Sequence, residues 1–195
     1  MSYTLKDVFY LGASHTYAAS TYNAASKEGN IPIDISAYVD PIAKGRQRGQ
    51  GLAIYKVHSQ VCGNESGNEQ IDSDAGQFTY GLTVKPYATS GDDSGAIDTF
   101  DLTPESDLLM FGAFYTAPAT MIPGYGGMGS AGNHTFLEPS TEVPYVAVRD
   151  TIFQLLRTGV ALSENDDVTI SYRLECAMIT LDTATLNQLL RTQTA

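Results

Sequence analysis

The sequence predicts an all-β fold: a single jelly roll or β-sandwich of about eight antiparallel strands with a short C-terminal helix. Three observations carry that prediction. In DVTISYRLECAMITL, residues 168–178 alternate apolar and polar side chains, the mark of a strand with one buried and one wetter face. Other runs of β-forming residues recur at intervals, separated by loops dense in Gly, Asn, Asp and Ser. The one clear helix signal comes last, so the strand–helix alternation that builds parallel sheets is missing. An immunoglobulin-like sandwich fits less well, because with no Trp the Cys…Trp…Cys hallmark is absent. The 195 residues suit one domain, 1–195, in which 1–30 reads as an extended N-terminal arm.

Taken in order, the opening SYTLKDVFYLGASHTYAAS has no basic head and no sustained apolar stretch, so as it stands it is not a secretory signal. IPIDISAYV (31–39) alternates Ile31, Ile33, Ile35 and Ala37 with polar neighbours, and Pro32 suits a strand start or a sheet edge. GLAIYKVHSQV (51–61) alternates Leu52, Ile54, Lys56 and His58 against Ala53, Tyr55, Val57 and Ser59. FTYGLTV (78–84) is rich in β-formers, and DLLMFGAFYT (107–116) reads as a buried strand. Weaker strands are expected at 96–102 and 143–149. RDTIFQLLRTGVAL (149–162) reads as mixed: Ile152, Phe153, Leu155, Leu156 and Arg157 fit a short helix, and VAL after Gly159 fits an extended exit. After the long strand Asp182 offers a helix cap, and Leu186, Leu189 and Leu190 follow at helical spacing.

Charge narrows the function classes. The formal net charge is −11 and charged residues are 17% of the chain, so the overall field repels nucleic acid and anionic membrane. The charge is uneven: net +2 over 1–63, −9 over 64–107, where Lys85 stands against ten acids, and −4 over 108–195. The longest apolar runs, such as LLMFGAFY, fall far short of the roughly 20 residues of a membrane-spanning helix. The chain reads as soluble.

No catalytic set emerges, and the chain is expected not to be an enzyme. His15, His58 and His134 are the only imidazoles, and no G-x-S-x-G elbow accompanies any serine. Cys176 falls on the apolar face of the long strand and Cys62 in a Gly/Asn-rich loop; both read as free thiols, Cys176 as a small buried hydrophobe. Neither Cys has a Cys or His within three residues, so a zinc site is not expected. Calcium is the candidate ion: Asp72, Asp74, Asp92, Asp93 and Asp98 place oxygen ligands in Gly-rich turns. The same residues are also ordinary turn formers. GYGGMGSAG (124–132) lacks the strand-to-helix junction of a phosphate-binding loop. No other cofactor is implied.

Two loops point to contacts. Lys44, Arg46 and Arg48, set among glycines, form the one concentrated positive patch; it suits a polyanion or an acidic stretch of a neighbouring subunit, or is a solvated hairpin. TAPATMIPGYGGMGSAGN, with Met121, Ile122, Tyr125 and Met128, is an uncharged apolar loop of a length usually tied to function or ordered by a partner.

These features, in particular IPIDISAYVDPIAKGRQRGQGLAIYKVHSQV and the late strand with its trailing helix, resemble the single jelly-roll major capsid proteins of tailless, membrane-containing double-stranded DNA viruses of the sphaerolipovirus type. The likeness lies in element order and composition over about 31–190. It implies a self-assembling coat subunit, packed into capsomers of an icosahedral virion after synthesis in the host cytoplasm. The implied partners are copies of itself or a second coat protein, with inner-membrane or genome contact through 44–48 and no sequence-specific nucleic-acid binding. No catalytic residues carry over. Twenty-two acidic residues are too few for a high-salt host. The alternative is a non-catalytic glycan- or surface-binding β-sandwich, calcium-dependent or not.

Overall fold

The computed structural model describes residues 5–22, 28–40, 48–63, 77–84, 108–117, 130–158 and 167–194. They form nine strands and one helix: β1 Leu5–Tyr17, β2 Glu28–Asp34, β3 Arg48–Gly63, β4 Gln77–Thr83, β5 Leu108–Ala117, β6 Ser130–Leu137, β7 Tyr145–Ala147, β8 Thr151–Thr158, β9 Val168–Asp182 and α1 Thr183–Thr194.

Pairing order makes the fold a jelly roll. One sheet runs β1-β9-β3-β7 and the other β2-β8-β4-β5-β6. β1 pairs with β9, β2 with β8, β3 with β7 and β4 with β5, all antiparallel. Those four couples are the rungs of one long hairpin ribbon. Rolling the ribbon brings β9 against β3 and β8 against β4, which closes the two-sheet jelly-roll layout. β6 is an addition, a hairpin partner that widens the second sheet beyond β5.

The main core lies between the sheets. Leu52, Ile54, Val57, Ile170, Tyr172, Leu174 and Cys176 from the first sheet meet Phe78, Tyr80, Leu82, Met110, Phe114, Ile152 and Leu156 from the second. In β9 the inward row is Val168, Ile170, Tyr172, Leu174 and Cys176; Met178, the last apolar residue of the sequence alternation, is only partly buried and lies outside that core. The odd-numbered row changes character along the strand: Thr169, Ser171, Arg173 and Glu175 are polar, whereas Ala177, Ile179 and Leu181 are buried in a second cluster with Leu186 of α1. Ala177 therefore does not lie on a wet face. The helix starts as expected, with the Asp182 carboxylate accepting the Thr185 N–H at 2.8 Å, which satisfies a free donor of the first turn.

Several expectations need correction. Leu5–Tyr17 is not part of an arm but a strand hydrogen-bonded to β9. The strand expected over 31–39 ends at Asp34; there the Asp34 carboxylate accepts the Ser36 N–H at 2.8 Å, and this local bond competes with the ladder and turns the chain. Residues 151–158 are strand throughout: β2 and β4 bond to both sides of this segment, and sheet pairing overrides the helical spacing of its apolar residues. The expected strand at 143–149 shrinks to three residues, and the stretch read as loop over 117–133 already contains the first residues of β6. Cys62 sits in β3 opposite Thr169, not in a loop. The strand expected at 96–102 lies outside the described residues.

β3 also departs from simple alternation. Its register against β9 slips between Ile54 and Lys56, a bulge that spends one extra residue and flips the facing of everything after it. Leu52 and Ile54 point into the main core before the slip, and Val57 does so after it. Lys56 and His58 are thereby turned outward, where both are exposed.

Candidate functional site

The polar-to-apolar change along β9 divides the outer face of the first sheet. α1 covers one half, packing Leu186, with Leu189 and Leu190 beside it, on Ala53, Tyr55, Ala177, Ile179 and Leu181. The other half is open and is built by β1, β9 and β3.

Register sets the rows of that open half. Tyr10, Glu175 and Lys56 form one row, Gly12, Arg173 and His58 the next, then Ser14, Ser171 and Gln60, then Thr16, Thr169 and Cys62. The Arg173 guanidinium lies 4.1 Å from the centre of the Tyr10 ring, a cation–π contact. His58 Nε2 and Glu175 Oε1 are 2.9 Å apart. The Glu175 carboxyl is held below its usual range, first by the hydrogen bond from His58, then by the charges of His58 and Lys56 and the Tyr10 hydroxyl. Paired hydroxyls continue the ladder, Ser14 with Ser171 and Thr16 with Thr169, each at 2.8 Å.

These groups do not make a nucleophilic site. The half-buried thiol of Cys62 is four residues along β3 from His58, roughly 13 Å at strand rise. The Cys176 thiol faces the core, and burial, with Glu175's charge adding, pushes its pKa up to about 12, so it holds almost no thiolate. Among the described residues no group of three His, Cys, Asp or Glu side chains could hold a metal ion, and no helix is long and apolar enough to cross a membrane.

What distinguishes this region is the edge beside it. Among the described residues the two sheets end in four edge strands, β1, β7, β2 and β6, and an open edge invites another strand unless something blocks it. β7 is three residues long, and Gln193 of α1 hydrogen-bonds the backbone of Val146 and Val148. β2 carries Glu28, Pro32 and Asp34. β1 has 13 residues, and from Val8 to Tyr17 it contains no Asp, Glu, Lys, Arg or Pro; β6, SAGNHTFL, contains none either. Of the four exposed large hydrophobics among the described residues, Val8 (59%) and Tyr10 (55%) are on β1 and Phe136 (58%) is on β6, while Val143 precedes β7. Phe136 stacks on Phe111 with ring centroids 5.6 Å apart.

No protein-family model matches the sequence, and no curated protein does. Among solved structures the chain is similar to Merkel cell polyomavirus VP1 in complex with disialyllactose, with a TM-score of 0.41 and 6% identity, over 90% of this chain and 96% of that one.

Of the residues singled out from sequence, Asp72, Asp74, Asp92, Asp93, Asp98, Lys44, Arg46, Met121, Ile122, Tyr125 and Met128 lie outside the described residues. Arg48 is described: exposed, at the start of β3, opposite Asp182 where α1 begins. The sequence reading passed over β1 and β6, and with them Val8, Tyr10, Gly12 and Phe136. A signal was present in β1, since Phe9, Leu11, Ala13 and Tyr17 alternate with Val8, Tyr10, Ser14 and Thr16.

Proposed function

We propose that the chain is a self-assembling structural subunit, the coat protein of an icosahedral virion, acting through contacts between copies rather than through chemistry on a substrate. The observation that carries this reading is the placement of exposed apolar side chains on β1 and β6, edge strands whose outer sides have no strand partner among the described residues. A lone soluble domain gains nothing from such edges, and natural β proteins otherwise blunt them, as β2 and β7 are blunted here. A jelly roll wound this way leaves edge strands that can bond to neighbours. Membership of the membrane-containing, single jelly-roll capsid group is the finer form of the proposal, with the virion as its location.

Glycan binding is the less favoured reading. An exposed tyrosine suits sugar stacking, but the Tyr10 ring already carries the Arg173 guanidinium on one face. Negative-stain electron microscopy of the purified protein at high concentration tests the assembly reading. Rings, sheets or closed shells are expected; dispersed particles of about 21 kDa at every concentration and salt would refute it.

A further inference from the structure

We infer that two copies of this chain join β1 to β1, antiparallel across a two-fold axis at Gly12, merging their four-stranded sheets into one of eight strands. The inference rests on the self-assembly proposed above and names its contact. Among the described residues nothing pairs with the outer edge of β1, and its register with β9 is unbroken from Val8 to Tyr17. A ten-residue uncharged edge can take another strand without setting like charges face to face. That matters for a chain of net charge −11, because copies repel through most of their surface.

Gly12 locates the axis. Glycine weakens a strand interior, and where it occurs it often marks a bulge, a bend or the close approach of another backbone. There is no bulge at Gly12. Nor does the packing of the described residues require glycine there: apart from its chain neighbours, the nearest described atom to a Cβ at this position would be the Tyr172 carbonyl oxygen, at 3.9 Å. Gly81 and Gly112 differ, since a Cβ there would meet Met110 O at 2.5 Å and the Tyr80 ring at 2.8 Å. Among the described residues nothing fills the space beside Gly12, which leaves it open to the close approach of a second copy.

Parity then fixes the contact. Facing residues of an antiparallel pair point to the same side, and the even-numbered residues of β1 point outward. An axis on Gly12 sets glycine against glycine, Tyr10 of one copy against Ser14 of the other, and Val8 against Thr16. Diagonal neighbours in such a pair are within reach of an aromatic side chain, so each Tyr10 ring lies over the other copy's Gly12. This is the way aromatic residues compensate edge glycines. The two apolar side chains most exposed on β1 become covered, and only the first sheet is extended, since Pro32 keeps the β2 edges apart.

The test uses the full chain in a Cys62→Ser background. Facing backbones in an antiparallel pair bring Cα atoms to about 4.5–5.5 Å, within disulfide reach. Gly12→Cys is therefore expected to give a cross-linked dimer under mild oxidation. Val8→Cys, whose two copies would be roughly 26 Å apart, is expected to give none. Gly12→Lys, which puts two like charges on the axis, is expected to weaken association at least about tenfold by sedimentation velocity with an unchanged melting temperature. Equal cross-linking of both cysteine variants, or assembly undisturbed by Gly12→Lys, would overturn the β1 contact while leaving assembly intact. A wild-type chain that never associates would overturn both. Should Gly12→Lys fail to fold, the cysteine pair decides alone.

Discussion

Gln193, near the end of α1, bonds to β7 as a neighbouring strand would. Its side-chain amide donates to the Val146 carbonyl at 2.6 Å and accepts the Val148 N–H at 3.1 Å. A carbonyl at i and an N–H at i+2 are the two groups that one residue of a parallel neighbouring strand would fill. Arg149 Nη1 donates in turn to the Gln193 backbone carbonyl at 3.1 Å. Gln193 is 3% exposed and Val148 fully buried, so the Val148 N–H has no water to fall back on, while the Val146 carbonyl is part-buried. Gln193→Ala should cost about 2 kcal/mol in urea unfolding, the penalty of leaving a buried backbone group unpaired. Gln193→Glu should lose nearly as much, because a carboxylate can accept from Val148 but would face the Val146 carbonyl with no proton to give.

How much of this was legible in the sequence depends on how local each cause is. β9 and α1 were legible because one strand in the middle of a sheet and one cap at Asp182 decide them. β8 was not: Ile152, Phe153, Leu155 and Leu156 suit either state, and strands distant in sequence choose between them. The phase flip in β3 depends on a bulge that no spacing reveals. β1 has a fair alternating pattern, but its meaning as an edge depends on β9, from the far end of the chain, being its one partner among the described residues; Ser14 and Ser171 are 157 residues apart. The contact surface was therefore the least legible part, since it is defined by which strands lack neighbours.

The two glycines 12 and 81 should respond oppositely to a methyl group. A Cβ at Gly81 would sit 2.5 Å from the Met110 carbonyl oxygen. That atom is backbone in β5, the strand paired with β4 at this position, and it cannot swing aside as a side chain could. Tyr172 also donates its hydroxyl to the Gly81 carbonyl at 3.4 Å, so a shift of β4 disturbs the core. Gly81→Ala is expected to destabilise by about 1–3 kcal/mol, read as a lower urea midpoint. Gly12→Ala should leave the midpoint of the unassociated chain unchanged or slightly raised, as expected where the added carbon meets only open space.

Acid should weaken the fold through carboxylates held below their usual range. Glu175 is held there chiefly by His58, Asp182 by the Thr185 N–H and Asp34 by the Ser36 N–H. A carboxylate whose folded pKa is depressed lends stability that is fully present above its unfolded value, about 4, and lost as pH falls through the folded value. The melting temperature is therefore expected to hold between about pH 7 and 5 and to drop below about pH 4. In Glu175→Gln/Asp182→Asn/Asp34→Asn the drop should be shallower, because groups that no longer titrate cannot contribute to it. A triple variant with the wild-type acid profile would show that other carboxylates set it.

Salt separates an uncharged contact from an ionic one. Copies of a chain at −11 repel at low ionic strength, and the screening length shrinks from about 30 Å at 0.01 M to about 3 Å at 1 M. If the copies meet through the uncharged run Val8–Tyr17, salt removes the repulsion and takes nothing from the contact. Association should then tighten steadily from 0.05 to 1 M NaCl. If instead Lys44, Arg46 and Arg48 hold the acidic 64–107 stretch of a neighbour, salt weakens the attraction itself and the complex should loosen over the same range. Light scattering at fixed protein concentration across that series distinguishes the two. Lys44→Glu/Arg46→Glu/Arg48→Glu sharpens the comparison: it takes the net charge from −11 to −17, so an edge contact should weaken at low salt through the added repulsion and recover as salt screens it, whereas an ionic contact would be lost at every salt concentration.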